Sequence, residues 1–556
     1  MPALVSKKFR LHNAKQFVEA FDEDAGFTTF ANTTAGDTSL ETNMYVFIGG
    51  ISAFTDDTNP PTPTDSVANS YYENWRDMIA AKKVSSSDVT HCVPRYNWTN
   101  NTNYFAYSHT ENNLYGQTFY VVTDEYNVYK CLANNNSGGT SQAKPTGTGS
   151  SIITPGADGY KWKFMYNISA SKALKFATTS YLPVQQVRHA NAFGKSSTTG
   201  MPSSSQENEY QRAVEVAAIS GELNVINKTA NGSNYVFESS STQSITSTTV
   251  FVIHNGADTN DDYYVGSDIF FTNGDASGMG GTITNYVGSS RTVTIGTALA
   301  ATPTAVSTFV IAPKVTITGD GQAANARAIG SNTNQVTSVT VVNAGNNYSN
   351  AVVTFTANSS HGSGATATAV IEPYGGHGYD AVEELGGYNV MVNSRLENDE
   401  SGDFTVSNDF RKIGLLRQPL TSAGAVATAT TADQAVTITT QSYTSSSLTY
   451  VADQLVTGSD SGATGRVVDY TVGTNKLRLV SVTHGSNTTN GYDGLPGSFQ
   501  TNEAITVSGG DPTANTNGVA AGELKPFSGD ILYVENRSPV SRASDQIEDV
   551  KLIVNF

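Results

Sequence analysis

Apolar residues recur at helical spacing in two stretches near the start of the chain. A helix presents residues three and four positions apart on one face, so this spacing predicts amphipathic helices. The first face consists of Leu11, Ala14, Phe17, Val18 and Phe21. The second follows a proline-rich lead with a Thr64 or Asp65 cap, and consists of Val67, Tyr71, Trp75, Met78 and Ile79. We expect this second face to place Trp75 in a core.

Other stretches alternate with a period of two, which is typical of strands with one buried face. In DGYKWKFMYNI the shared face is aromatic: Tyr160, Trp162, Phe164 and Tyr166. The last residues alternate in the same way, with Val550, Leu552, Val554 and Phe556 on one face. Just upstream, DILYVEN predicts another strand, which carries Tyr533. Trp162, Tyr533 and the four alternating residues at the end are therefore predicted core residues.

The character of the chain changes at about residue 210, after a Ser- and Gly-rich stretch (191–208) that is typical of a linker or exposed loop. From there the sequence predicts short strands and Gly-rich turns. An internal repeat joins VTITGDGQAANARAI (315–329) with VTFTANSSHGSGATATAVI (353–371). Between the repeats, VTSVTVVNAGNNYSNA predicts a hairpin with Gly345 and Asn346 in its turn.

A second all-β stretch covers 425–522, and the segment 376–420 between the two β regions is richer in charge and in large apolar residues. The predicted class is therefore α+β, mainly β, with a discontinuous mixed core. Its parts are residues 1–200, 376–420 and the terminal strands at 523–556. Small β modules are inserted at 210–375 and 425–522, where flanking loop-like sequence tolerates insertions.

Composition and charge narrow the functional classes. Charged residues make up only 15% of the chain and aromatic residues 10%, which favours a folded β-rich protein over a disordered one. The net charge of −17 argues against nucleic acid and against an anionic membrane surface as partners. We find neither an apolar run of the roughly 18 residues that span a bilayer nor the apolar stretch of a secretory signal. Cys92 and Cys131 are expected to be buried small hydrophobes.

Candidate chemistry is sparse. The sequence lacks the motifs GxxxxGK[ST], HExxH, CxxC and GxSxG. DTNDDYY places Asp258, Asn260 and Asp262 at the 1-3-5 spacing of a calcium loop, and they are the one metal candidate. Tyr263 replaces the glycine and Ile269 the glutamate that such a loop requires, so a solvated acidic turn is expected instead. We therefore expect no enzyme activity, no metal and no cofactor.

The remaining titratable residues have plain structural interpretations. His361 and His377 are flanked by glycine, and we expect surface or hydrogen-bonded histidines rather than metal ligands. Glu383 and Glu384 are adjacent, so on a strand they would point to opposite faces instead of flanking a substrate.

Six stretches, in this order, resemble the baseplate wedge subunit known as gene product 8 in T-even-type contractile-tailed phages. They are LVSKKFR; PTPTDSV leading to KVSSSDVTHCVPRYNW; VYKCL; DGYKWKFMYNI; NDFRKIGLLRQPL; and GDILYVENRSPVSRASDQIEDVKLIVNF. The last is the most specific. Together they cover about half of the chain, which is the half assigned above to the discontinuous core.

The resemblance implies a non-enzymatic structural protein of the virion. It would be a homodimer, present as two copies in each baseplate wedge, assembled in the host cytoplasm and bound to other wedge subunits. The family has no catalytic residues to carry over. The inserted β modules are not matched, so the resemblance assigns no partner surface to them.

Two other functions remain open for the inserted modules. A receptor- or glycan-binding virion protein would expose aromatic residues in module loops, with the candidates Tyr263, Tyr264, Tyr348, Tyr374 and Tyr379. A tail-associated depolymerase would show longer regular repeats with carboxylates recurring on one face, which the sequence does not contain. The matches in the core favour the assembly protein.

Overall fold

The computed structural model describes residues 4–21, 42–66, 69–135, 138–187, 206–330, 333–358, 361–397, 403–441, 449–483, 499–507 and 513–556. Strands account for 43% of the chain and helices for 11%, so the predicted α+β, mainly β class is confirmed. Most of the predicted linker at 191–208, and Val67, lie outside the described residues. No helix within these ranges is long and apolar enough to cross a membrane.

The helices are short. They are α1 (Lys7–Glu19), α2 (Asn69–Asp77), α3 (Ala170–Phe176), α4 (Gln206–Ala217) and α5 (Ala381–Leu385). The side chain of Ser6 caps α1 and accepts a hydrogen bond from the backbone N–H of Phe9. Leu11 and Ala14 are the buried residues of that helix, as its spacing predicts.

The strands follow in chain order. The first segment contains β1 (Met44–Gly49), β2 (Met78–Val84), β3 (Val89–Pro94), β4 (Tyr120–Val122), β5 (Asn127–Asn134), β6 (Ile152–Ile153), β7 (Tyr160–Asn167) and β8 (Tyr181–Val184). The next contains β9 (Val225–Ser233), β10 (Glu238–Ser241), β11 (Ser244–Ile245), β12 (Val250–Val252), β13 (Ser267–Phe271), β14 (Gly280–Val287), β15 (Thr292–Ile295), β16 (Thr308–Gly319), β17 (Asn325–Gly330), β18 (Val336–Asn343), β19 (Ala351–Thr356) and β20 (Ser363–Val370). The rest are β21 (Asn389–Glu397), β22 (Phe410–Arg417), β23 (Thr431–Asp433), β24 (Val436–Thr440), β25 (Leu455–Gly458), β26 (Thr464–Thr471), β27 (Lys476–Thr483), β28 (Ala504–Val507), β29 (Thr513–Ala520), β30 (Asp530–Val540) and β31 (Ile547–Asn555).

Three sheets form the core, and two of them combine strands that are distant along the chain. One has the order β23-β2-β1-β22-β30, the second β31-β21-β3-β8 and the third β4-β5-β7-β6. The first two sheets pack their apolar faces together, with Val46 and Leu415 on one side and Val392 and Leu552 on the other. Pairing therefore brings the beginning, the middle and the end of the chain into one core.

The terminal strand lies against this core. Val550 and Leu552 are buried, and Val554 is half-buried. Phe556 packs on the same apolar cluster, and its ring centroid lies 5.2 Å from that of Phe17 in α1. Tyr533 is half-buried against the cluster from the neighbouring sheet.

The second predicted helix is shorter than its apolar spacing indicates. Trp75 is buried, but α2 ends at Asp77, and Met78 and Ile79 begin β2. Met78 pairs with Gly49 across a register shift. Strand pairing with β1 outweighs helical periodicity here, because a buried strand satisfies its backbone through its neighbour.

The first inserted module contains β9 to β20. The two copies of the internal repeat form two hairpins, β16 with β17 and β19 with β20, and β16 pairs with β19. The hairpin predicted around Gly345 and Asn346 is wrong, because β18 pairs with β17 and β19 pairs with β16. Strands β10 to β15, with a core of their own around Phe251 and Tyr286, are inserted between β9 and β16.

The second module is a closed barrel in the order β24-β27-β26-β25-β28-β29. Its connectivity repeats that of the first module when β9, β16, β17, β18, β19 and β20 are numbered one to six. In both modules strand one pairs with six, six with five, five with two, two with three, and three with four. Strand four pairs with strand one only in the barrel, whereas β18 and β9 lie side by side without pairing.

The twin modules also share a carboxylate clamp. In the first, Asp320 after strand two accepts hydrogen bonds from the N–H groups of Ser349 and Asn350, both at 2.9 Å, just before strand five. In the second, Glu503 just before strand five accepts from the N–H of Ser461, at 2.9 Å, in the turn after strand two. In both modules a carboxylate thus joins the segment after strand two to the segment before strand five. The carboxylate comes from the segment after strand two in the first module and from the segment before strand five in the second.

The boundaries differ in detail from the predicted ones. Thr431–Asp433 lies within the predicted second module, but it forms β23 and pairs with β2 in the core. The N–H of Glu523 donates to the carbonyl of Asp433 at 2.7 Å, so the two ends of the barrel segment lie side by side.

We expect deletion of residues 546–556 to unfold or aggregate the protein, because it exposes β21 and removes Val550 and Leu552 from the core. Each such buried side chain contributes about 1.5–3 kcal/mol, against a net domain stability of about 5–15 kcal/mol. Replacement of residues 436–520 by a short Gly/Ser linker should leave soluble protein. Circular dichroism and gel filtration compare the two variants, and the opposite ranking would contradict a discontinuous core.

Candidate functional site

Several oxygen atoms of the candidate calcium loop are engaged in local contacts. The Asp258 carboxylate accepts hydrogen bonds from the N–H and the side-chain amide of Asn260, both at 2.8 Å. Asp262 adopts a positive φ of 59°, and its carbonyl accepts from the side chain of Asn358 at 2.6 Å. In the part of the chain that the structure describes, no group of three or more His, Cys, Asp or Glu side chains could hold a metal ion.

The other residues singled out from the sequence lie mainly in cores. Trp75 and Trp162 are buried. Cys92 and Cys131 are buried free thiols, and burial raises the pKa of Cys92 to about 12, which disfavours the reactive thiolate. Of the candidate glycan-binding tyrosines, Tyr264 and Tyr348 are buried, Tyr263 and Tyr379 are half-buried, and only Tyr374 is exposed, at 89%.

Sequence reasoning did not find the most unusual site, a buried ionic cluster where the first module joins the core. We call it the joint cluster, and it consists of Lys130, Glu372, His377 and Glu384. Lys130 lies on β5 of the core and is completely buried. A buried lysine is rare unless it is paired, so its partners identify the site.

Lys130 donates two hydrogen bonds from its ammonium group. One goes to Nδ1 of His377 at 2.9 Å and the other to a carboxylate oxygen of Glu384 at 2.8 Å. Its Nζ also lies 4.2 Å from the centre of the Tyr107 ring, where the π face favours a cation. The ammonium group is therefore fully partnered.

The acidic partners are held by backbone N–H groups. The second oxygen of Glu384 accepts from Gly378 at 2.8 Å, and Glu372 accepts from the N–H of His377 at 2.9 Å. This geometry requires a turn with several glycines. Gly376 and Gly378 have φ values of 94° and 91°, and a Cβ on Gly378 would lie 2.3 Å from the side chain of Val214.

Glu383 and Glu384 do point to opposite sides, but they do so on helix α5 and not on a strand. Glu384 turns inward to Lys130, while Glu383 lies at the surface and pairs with Lys8 at 2.9 Å. The side chain of Asp380 caps α5 by accepting from the N–H of Glu383.

Electrostatics stabilise the charged form of Glu384 and the neutral form of His377. Burial alone would raise the pKa of Glu384, but Lys130 and His377 outweigh that effect and lower it to about 2. For His377, burial lowers the pKa and the positive charge of Lys130 lowers it further, although Glu372 and Glu384 oppose this. The neutral imidazole can accept a hydrogen bond from the Lys130 ammonium group at Nδ1, whereas a charged imidazolium has no acceptor nitrogen.

The joint cluster binds both chain crossings between the core and the first module. Glu372 lies on the returning strand connection, and its carboxylate accepts from the side-chain amide of Asn224, on the outgoing connection, at 2.5 Å. Tyr107 in the core donates to the carbonyl of Ile371 at 3.3 Å. The chemistry of the site is therefore that of a polar joint, in which Lys130 reaches the two linkers through His377 and Glu372.

A cavity of about 1060 Å³ opens beside the joint cluster. One wall carries cationic residues of the first helix, Lys7, Lys8, Arg10 and Lys15, and the other carries Asp380, Glu383 and Glu384. The two walls are linked by the ion pair between Lys15 and Asp380 at 3.0 Å.

Two features of the sequence could have identified this site. Lys130 interrupts the otherwise apolar strand VYKCL, and the GGHG stretch around His377 is an unusually glycine-rich turn. Of the two predicted alternatives for His377, a surface or a hydrogen-bonded histidine, the structure shows a buried histidine that is hydrogen-bonded to Lys130. Compared with known proteins, the chain matches no protein-family model and no curated protein.

Substitution of Lys130 by Met should destabilise the protein by about 3–5 kcal/mol in urea unfolding, because it leaves Glu384 charged and buried without its cation. Lys8→Met is the matched control, because Lys8 pairs with Glu383, the neighbour of Glu384 on helix α5. This exposed pair should contribute about 0–1 kcal/mol. Adding Glu384→Gln to Lys130→Met should restore part of the loss. Equal effects of Lys130→Met and Lys8→Met would contradict a stabilising cluster.

Stability should fall in acid in two steps. His377 has a lowered pKa in the folded state, so its contribution is complete above the unfolded value of 6.5 and is lost as the pH falls below it. Glu384 adds a second loss as the pH falls from 4.5 to about 2.

The variant His377→Gln keeps an acceptor for Lys130 but cannot be protonated in this range. We expect its free energy of unfolding, measured by urea at a series of pH values, to depend less on pH below 6.5 than that of the wild type. His91, whose pKa burial lowers to about 4, titrates in both proteins, so it cancels in the comparison. Identical pH profiles would show that His377 does not couple folding to protonation.

Proposed function

We propose that this chain is a structural virion protein, a baseplate wedge subunit of a contractile phage tail. In this proposal it acts as a homodimer that binds other wedge subunits and links the baseplate to peripheral components. It is assembled in the host cytoplasm and resides in the tail baseplate. The proposal rests on the resemblance of six collinear stretches to the gene product 8 family.

One observation supports it above the others: the matching stretches lie together in space. LVSKKFR begins helix α1, and Arg10 within it stacks over the Tyr388 ring at 3.9 Å and donates to the carbonyl of Phe556 in the last matching stretch. VYKCL and DGYKWKFMYNI form the paired strands β5 and β7. NDFRKIGLLRQPL supplies β22, which pairs with β30 of the last stretch.

If the six stretches resembled the family only by chance, they would have no reason to lie next to one another in the folded chain. Here they supply strands of three neighbouring sheets, and none of the matching stretches lies in the two inserted modules. Because buried contacts constrain sequence more than exposed loops do, a shared core is the part of a family in which resemblance should persist.

The chemistry of the site is compatible with a role based on surfaces. The charge of Lys130 is balanced by Glu384, both being buried, and Cys92 and Cys131 are buried as well. With a net charge of −17, the chain presents a predominantly acidic exterior, which favours protein partners over nucleic acid.

Electron cryo-microscopy of the tail of the phage that encodes this chain tests the proposal. We expect density for the core sheets in the baseplate, at two copies per wedge. Replacement of 436–520 by a short linker is the matched control, because it should remove the barrel density and leave the core density in place.

Absence of the protein from purified virions, or a robust turnover of polysaccharide, peptide or nucleotide, would overturn the proposal. Location at the tips of fibres, with binding of host glycan that is lost when a module is removed, would instead support the receptor-binding alternative. That alternative has less support at present, since most of its candidate tyrosines are buried or half-buried.

A further inference from the structure

Two strands of the core differ from the other strands at sheet edges. Within the described ranges, most edges of the three core sheets end in very short strands: three residues in β23, four in β8, three in β4 and two in β6. The remaining two edges, β30 and β31, have eleven and nine residues. A long edge strand presents unpaired N–H and C=O groups, which proteins normally protect or use for binding.

Strand β30 carries the usual protections. Pro539 lies within it and removes a donor, and its pairing with β22 is interrupted by two register shifts. Strand β31 has neither feature. It pairs with β21 through nine consecutive residues, from Ile547 with Glu397 to Asn555 with Asn389, without a shift.

The alternation of hydrogen-bonded and non-hydrogen-bonded pairs along β31 shows which of its backbone groups point towards β21 and which point outward from the sheet edge. The N–H of Phe556 donates to the carbonyl of Tyr388 at 3.3 Å, which makes this a hydrogen-bonded pair. In an antiparallel ladder such pairs alternate, so Val554, Leu552 and Val550 bond to β21. The residues between them direct their N–H and C=O groups away from the sheet: Ile547, Asp549, Lys551, Ile553 and Asn555.

We propose that β31 is the dimer interface, and that it pairs antiparallel with β31 of a second copy about a two-fold axis at Val550. The inference rests on the homodimer of the proposed function, but it does not require a role in a baseplate. It would join the four-stranded sheets of the two copies into one continuous sheet.

The sequence of β31 is self-complementary in this register. Asp549 lies opposite Lys551 of the partner subunit, and Ile547 lies opposite Ile553 of the partner subunit, with each pair occurring twice by symmetry. Opposite charges and β-branched residues in directly facing positions stabilise a sheet. Ile547 is 55% exposed in the single chain, and this pairing would cover it.

The same residues reject the neighbouring registers. An axis at Lys551 would place the two lysines directly opposite one another, and an axis at Asp549 would do the same to the two aspartates. Like charges in directly facing positions are destabilising. Of these three axes, only the one at Val550 gives facing charges of opposite sign.

The charge pattern also extends into the existing sheet. Arg395 on β21 is paired with Asp549 at 3.2 Å. In the single chain the Lys551 ammonium group donates to the carbonyls of Leu174 and Ala177, each at 3.3 Å. On pairing, Lys551 of the partner subunit would approach Asp549 from the other side, so each aspartate would lie between two cations. The two-fold axis repeats this row of Arg395, Asp549 and the facing lysine, so the row occurs twice in the dimer.

Charge reversal tests the pairing by analytical ultracentrifugation of the full chain. Asp549→Lys or Lys551→Asp places like charges opposite one another twice, and each should weaken dimerisation by at least about tenfold. The triple change Arg395→Glu with Asp549→Lys and Lys551→Asp inverts the whole row and should restore most of the affinity. Asp530→Lys, on the protected edge β30, is the matched control and should leave the dimer intact. Circular dichroism checks that each variant folds.

A disulfide provides an independent readout. Ile547→Cys combined with Ile553→Cys should form covalent dimers on oxidation, because facing residues on paired strands lie within disulfide reach and the two positions are too far apart within one strand. The native cysteines are buried. Leu532→Cys on β30 is the matched control and should give far less cross-linking.

The outcomes separate this inference from the one on which it rests. A wild-type protein that is monomeric at micromolar concentration would overturn both the homodimer and the β31 interface. A stable wild-type dimer that is insensitive to both charge reversals, with no cross-link between positions 547 and 553, would overturn the β31 interface alone. Weakening by the single changes, rescue by the triple change and the specific cross-link together would support it.

Discussion

The pairing of β22 with both β1 and β30 is the constraint on which the architecture depends. β22 lies between β1 and β30 in one sheet, so residues near 47, 414 and 534 must meet in adjacent strands. Phe47 pairs with Gly414, and a Cβ on that glycine would lie 2.3 Å from the Phe47 ring. The entropic cost of closing a loop grows only logarithmically with its length, at about 0.6 kcal/mol per doubling. The chain can therefore carry large modules between these strands, provided that the strands themselves meet.

Each module is fastened to the core by a buried cation. The first uses Lys130, which donates to His377, whose backbone N–H in turn donates to Glu372 on the connection that returns from the module. The second uses Arg478, whose guanidinium pairs with Asp433 at 2.6 Å and Asp469 at 2.8 Å. Buried ion pairs add little net stability, because the cost of desolvation offsets much of the attraction. Their geometry is demanding, however, and a misplaced module would leave a charge buried without a partner. We infer that these pairs set the orientation of the modules more than their stability.

The modules themselves are two versions of one connectivity. Both join the turn after strand two to the start of strand five with a carboxylate, Asp320 in one and Glu503 in the other. Their differences lie in what is added: the first module carries six extra strands with a separate core, and the second closes its ring. A shared framework with different additions is consistent with insertions that fold around their own cores and leave the central sheets unchanged.

Local periodicity predicted one buried face of several elements. Alternation identified the strand faces of Trp162 and Leu552, and helical spacing identified the face of α1. These patterns, with a β-rich composition, indicated the α+β, mainly β class. These features are local, because burial of one face imposes its period on consecutive residues. Tertiary structure alone decided which strands meet, since every strand offers the same backbone donors and acceptors to any partner.

Three positions show that local sequence patterns do not specify which strands or side chains meet. The segment around Gly345 has the composition of a hairpin, yet its two strands pair with β17 and β16. Met78 continues a helical stripe, yet it pairs with Gly49. Lys130 resembles a solvent-facing residue of an alternating strand, and only the return of the chain at 372–384 surrounds it with Glu384 and His377. In each case the deciding partner lies outside the local pattern, at a distance that periodicity cannot encode.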